Sequence, residues 1–166
     1  MGFNYNDALS AFLILFAVID ILGSIPIIVS LRKKVGHVQS EKATLVAGAI
    51  MIVFLFLGER ILHLLGVDVQ SFAIAGSFVL FFLALEMILG ITLYKEESPN
   101  TASIVPIAFP MIAGAGTMTS LVSLRAEFAT INIIIAIVLN MIVVYAVLKN
   151  TERIERIMGS GGLSIL

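Results

Sequence analysis

This chain predicts an all-α, polytopic membrane protein, and three observations carry that fold class. Hydrophobic residues make up 60% of its 166 residues, and the mean hydropathy is +1.11. Charged residues make up only 13%, about half the share usual in a globular domain. The apolar residues also gather into segments of about 20, the length a helix rising ~1.5 Å per residue needs to cross ~30 Å of hydrocarbon. Strands of ~10 residues alternating apolar and polar are not seen, which argues against a β-barrel.

Five transmembrane helices follow in order. The first is Ala8–Leu31, broken by Asp20. The second is Ala43–Leu65, with Glu59, Arg60 and His63 late in it. The third is Phe72–Leu93, with Glu86 inside. The fourth, Thr101–Leu124, and the fifth, Phe128–Leu148, carry no charge. The N-terminus holds Asp7 rather than a basic run, so the first segment is expected to be a retained helix and not a signal peptide. Arg32, Lys33, Lys34, Lys42, Lys95, Lys149, Arg153 and Arg156 fall on one side of these spans, and only Arg60 and Arg125 on the other. The positive-inside rule then puts the N-terminus outside and the tail in the cytoplasm. Tyr5, Tyr94 and Tyr145 lie near predicted helix ends, where a phenol prefers to sit.

The polar stretch KEESPN, 95–100, reads as a linker between a first three-helix unit, 1–94, and a second unit, 101–166. The second unit holds two helices and a polar tail that reaches a glycine hinge. A net charge of −1 excludes a basic nucleic-acid binder. The absence of cysteine removes disulfides and thiolate metal sites, and His37 and His63 alone cannot build a His-rich metal cage.

Two helices carry matched interruptions. The first reads DILGSIPI over 20–27, and the fourth reads PIAFPMIAGAGTMTS over 106–120. Pro106 and Pro110 each remove an intrahelical hydrogen bond, and Gly114 and Gly116 permit backbone angles other residues resist. Both clusters pair a glycine with a hydroxyl, Gly23-Ser24 and Gly116-Thr117, and Ser or Thr can cap a fresh half-helix. Pro26 suits the first turn of such a half-helix. Each break lies in the first helix of its unit, and the two helices run in opposite directions. That is the pattern of an inverted-repeat transporter with two discontinuous helices. Half-helix N-termini suit a substrate carboxylate, and the carbonyls before each break suit an ammonium group or a cation. Close helix packing alone would also explain small residues at these places.

Asp20 near mid-bilayer costs ~2.5–3.5 kcal/mol on insertion scales, which neighbouring Leu, Ile and Phe at ~0.3–0.6 each can offset. It either caps local backbone N–H groups or serves as a cation site or proton switch. Glu86 either snorkels to the interface or acts as an ion or proton relay. Glu59 and His63 stand four apart on one helix face, and with Arg60 they read as an interfacial polar cap. Asn140 reads as an interhelical hydrogen-bond partner.

At the two clusters the sequence resembles the MarC family of prokaryotic membrane proteins, which includes the SnatA small neutral amino acid transporters. The family's first pattern looks like Asp-Pro-x-Gly-Asn-x-Pro. Asp20, Gly23 and Pro26 match it, whereas Ile21 and Ser24 depart. Its second pattern looks like Pro-x-Ala-x-Pro-x-x-Ala-Gly-Pro-Gly-Thr. Pro106, Ala108, Pro110, Ala113, Gly114, Gly116 and Thr117 match, with Ala115 in place of a proline. The resemblance implies a plasma (inner) membrane protein with an inverted repeat of three plus three helices and a site between the first and fourth helices. It also implies transport of glycine, alanine and similar amino acids coupled to an ion, H+ or Na+, with no resident cofactor. It further implies a sixth helix after the glycine hinge, where this chain stops at Leu166.

The expected function is therefore secondary transport of small neutral amino acids around Asp20, Gly23, Ser24, Gly114, Gly116 and Thr117. Alternatives are a non-transporting membrane subunit that binds a partner protein or forms a homo-oligomer, and an exporter of another small solute. An enzyme is not expected: there is one mid-membrane Asp rather than a pair, no HExxH, and no transmembrane Ser–His arrangement.

Overall fold

The computed structural model describes residues 2–36, 38–68 and 107–151, with single positions at 71, 74, 75, 78, 81, 82, 85, 89, 153, 154 and 156. Glu86, the 95–100 linker and Pro106 lie outside the described residues, as does most of the third apolar segment.

The described elements are all helical, as the composition predicts. Helix α1 spans Tyr5–Ile19, and Asn4 opens it by accepting the Asn6 N–H at 2.9 Å. Helix α2 spans Ile25–Val35, so the first predicted span is two helices separated at Asp20–Ser24. Helix α3, Ser40–Leu64, closes in a Schellman arrangement. There the Gly66 N–H reaches His63 O at 3.0 Å and the Val67 N–H reaches Leu62 O at 2.9 Å, and the φ of +69° at Gly66 suits a glycine. A wide turn, Ile107–Ile112, precedes helix α4, Ala115–Glu127, and helix α5, Thr130–Lys149. Two described stretches, Ser40–Gly58 and Thr130–Lys149, are long and apolar enough to cross a membrane, and α1 is a shorter apolar helix.

Among the described residues, helix α5 is the hub of the bundle. It packs against α1 and α3 and touches α4, while α4 also lies along α3 and α1. Residues Ala8, Ala11, Leu15 and Ile19 recur at helical spacing and bury one stripe of α1. They meet a core that includes Met51, Leu55, Ile112, Leu121, Ile133 and Ile137. The opposite faces expose Leu45 at 72%, Ile142 at 58% and Val53 at 51%. Such apolar exposure would be a liability in water and is the expected lipid face of a membrane bundle.

Asn140 meets its predicted role. Its amide, 1% exposed, donates from Nδ2 to Phe12 O of α1 at 3.1 Å and to Ala136 O at 2.9 Å. Asn140→Leu is expected to cost ~0.6–1.7 kcal/mol, the range of interhelical hydrogen bonds in membrane bundles, read by unfolding in detergent. No loss on that substitution would mean that apolar packing alone joins α1 to α5.

The two ends of the bundle differ in chemistry. At one end the fully buried Asn132 accepts the Asn4 N–H at 3.0 Å and reaches Asp7 Oδ2 at 3.4 Å. At the other end Lys149 Nζ donates to Tyr145 Oη at 2.6 Å, Tyr145 Oη lies 3.2 Å from Glu41 Oε1, and Lys149 stands 4.0 Å from Glu41. These exposed groups contribute little stability, but they mark a polar rim.

Candidate functional site

The first interruption is closed by its own acid. Asp20 adopts the left-handed conformation (φ 42°, ψ 52°), which Asp tolerates better than most residues because its short side chain bonds locally. Its N–H completes α1 by donating to Phe16 O at 3.1 Å, and its carbonyl receives the Ser24 N–H at 3.0 Å. Its Oδ1 accepts the Gly23 N–H at 3.1 Å. A Cβ on Gly23 would collide with Asp20 Oδ2, so the carboxylate folds back over a position that only glycine leaves open. Asp20 is exposed, whereas Gly23 and Ser24 are half-buried. Ser24 stands at the cap of α2 but makes no side-chain cap bond, and Pro26 lies in the first turn as predicted. The capping alternative for Asp20 is thus realised, and a carboxylate at the start of α2 also faces that helix's positive end.

The second interruption is closed by backbone. Phe109 is extended (φ −143°, ψ 129°), and the Ala113 N–H reaches back to Ala108 O at 2.9 Å. Gly114 is extended (φ −83°, ψ 179°), and a Cβ there would strike the carbonyl oxygen of Pro110. The fresh helix starts at Ala115 with Gly114 as its cap, earlier than a cap at Thr117 would place it. Thr117 instead lies in the first turn, 2% exposed, and donates to Ile112 O at 2.8 Å. That bond satisfies a carbonyl freed by the break. Thr119 and Ser120 both donate to Gly116 O at 2.9 Å. The first-turn N–H groups of α4 have no intrahelical acceptor, so this buried turn presents donors and partial positive charge.

The two interruptions meet. A Cβ on Gly116 would stand 3.4 Å from Val18 Cγ1, two residues before Asp20. The start of α4 therefore rests on the last turn of α1. Among the described residues no group of three His, Cys, Asp or Glu could hold a metal ion. His63 and Arg60 are exposed near the end of α3. A cavity of about 410 Å³ opens at the Asp7 end, lined by Gly2, Phe3, Asn4, Asp7, Glu127 and Ala129, and includes no residue of either interruption.

The family model described as MarC family integral membrane protein matches residues 5–166. The chain belongs to the MarC family. It is accordingly an integral membrane protein. Three related chains share less than a third of its residues. A UPF0056 membrane protein of Buchnera aphidicola subsp. Schizaphis graminum is 29% identical over 99% of this chain and 84% of its own length. The UPF0056 inner membrane protein YhgN of Escherichia coli K12 is 29% identical over 97% of this chain and 86% of its own. A UPF0056 membrane protein of Archaeoglobus fulgidus is 30% identical over 94% and 81%. No solved structure matches. The MarC match starts at the first residue of α1, so both interruptions lie within it.

Two polar residues of this MarC-family chain escaped the sequence reading as contact-makers. Arg125 entered only as a positive charge, and Asn132 carried no signal. Their partners lie 70 and 128 positions away, beyond the reach of local patterning.

Proposed function

We propose that this chain is a secondary transporter that binds a small neutral amino acid, of glycine or alanine size, between the two interrupted helices. The observation that carries the reading is the contact of Gly116 with Val18, which joins both breaks inside one apolar bundle. Irregular backbone at membrane depth is tolerated where it is buried in protein or lines a cavity, and discontinuous helices are the usual substrate sites of transporters. In this reading the N–H groups at the start of α4 receive the substrate carboxylate. Asp20 and the carbonyls around Ser24 receive its ammonium group. The N-terminus faces outward, the driving ion is H+ or Na+, and no chemistry is performed on the substrate.

Uptake of labelled glycine and alanine into proteoliposomes tests it. Saturable uptake is expected, with each amino acid competing against the other and with loss when the ion gradient is collapsed. A folded, complete protein that takes up neither would sink the reading and leave the subunit alternative.

A further inference from the structure

We propose that Val18 and Gly116 together set the size limit of the cargo. The gap between them takes one methyl, so a side chain no larger than that of alanine fits. The limit rests on the transport reading of the same site.

The first turn of α4 is open at one place. Ala113, Gly114, Ala115, Thr117 and Met118 are all buried, and Gly116 alone among them is half-buried. The first closed bond of this helix runs from the Met118 N–H to Gly114 O at 2.9 Å. The N–H groups of Ala115, Gly116 and Thr117 come before it and have no intrahelical acceptor. A carboxylate that approaches them from outside the turn therefore passes Gly116.

Val18 forms the wall of that opening. It stands in the last turn of α1, 39% exposed, two residues before Asp20. A Cβ built on Gly116 would meet Val18 Cγ1 at 3.4 Å and, among the described residues outside its own turn, nothing else within 4 Å. That distance is the near edge of ordinary contact. Packing thus does not demand a glycine at 116, unlike at Gly114, where the same atom would strike Pro110 O. The glycine leaves a space of one methyl beside an apolar wall. The nearby hydroxyls do not claim it. Thr119 and Ser120 both donate to Gly116 O, and Thr117 donates to Ile112 O.

Glycine and alanine carry the same ammonium and carboxylate and differ by one methyl. With the carboxylate on the α4 donors and the ammonium at Asp20, the side chain of the cargo falls between the two breaks, where Val18 stands. A hydrogen or a methyl fits there, whereas a branched chain meets the isopropyl group of Val18. One methylene more or less in an apolar pocket discriminates by about 10–200-fold.

Uptake of labelled glycine, alanine and valine by the full chain in proteoliposomes tests the limit, with each ratio taken within one variant. In the parent, valine should enter at about a tenth of the glycine rate or less. Gly116→Ala puts the protein's own methyl in the gap, and the alanine-to-glycine ratio should fall about tenfold. Val18→Ala removes both methyls of the wall, and the valine-to-glycine ratio should rise about tenfold. The two substitutions joined should regain the parent's alanine-to-glycine ratio. A loss of stability would lower every rate together and leave the ratios as they were. An unchanged ratio in either single variant that still takes up glycine overturns the size limit and keeps the transport reading. Should Gly116→Ala take up no glycine, Val18→Ala decides alone. No uptake of any amino acid by the parent removes the transport reading and the limit with it.

Discussion

Gly114→Ala is expected to destabilise the protein by about 2–3 kcal/mol, the upper part of the range for forcing an extra methyl into a packed site. The reason is steric rather than conformational. Gly114 has an extended backbone that any residue adopts. Its missing Cβ is the point, because that position is taken by the carbonyl oxygen of Pro110. A backbone atom cannot swing aside as a side chain does, so the whole turn at 109–114 must re-form. The neighbouring glycine gives the control. Gly116 is helical, and its Cβ would stand 3.4 Å from Val18 Cγ1, close to ordinary contact. Removing a helical glycine gains ~0.8–1 kcal/mol of propensity, which offsets that slight crowding. Gly116→Ala should therefore be neutral or mildly stabilising. Unfolding of both variants in one detergent would show the split, and equal effects would mean that the turn does not close as described.

The contrast shows what was legible in the sequence. The apolar segments, the two breaks and the Asn140 cross-link follow from composition, from Gly and Pro placement, and from the cost of an unpaired amide in hydrocarbon. The start of the second half-helix did not follow. Gly116-Thr117 reads like Gly23-Ser24, yet Thr117 spends its hydroxyl on Ile112 O and leaves the cap to Gly114. That outcome depends on how Pro110 folds against Gly114, and spacing does not encode it. For Asp20 the sequence offered both a cap and an ion site. The cap is a local contact with Gly23, three residues on, and so lay within reach of pattern reasoning. Arg125 did not, because its acceptors are backbone carbonyls of another helix.

Asp20 offers the sharpest separation of structure from transport. Asp20→Asn keeps an amide oxygen to accept the Gly23 N–H, and Asn is at home in the left-handed conformation. Its unfolding should match the parent within about 0.5 kcal/mol, as for substitutions that break no named contact. Asp20→Ala loses the cap, worth about 0.5–2 kcal/mol at comparable positions, and adds left-handed strain of roughly 1–2 kcal/mol. A total near 2–3 kcal/mol is expected, with the break between α1 and α2 loosened. Uptake should not follow stability. If the carboxylate meets the substrate ammonium or carries the coupling ion, Asp20→Asn loses uptake by about tenfold, since a hydrogen bond to a charged partner contributes ~1.5–3 kcal/mol against about 1 kcal/mol for a neutral one. A stable but inactive Asn variant would give Asp20 two duties, one oxygen on the turn and the charge on the cargo. A stable, fully active Asn variant would reduce it to a cap, and the ammonium site would then have to be built from the carbonyls around Ser24 alone.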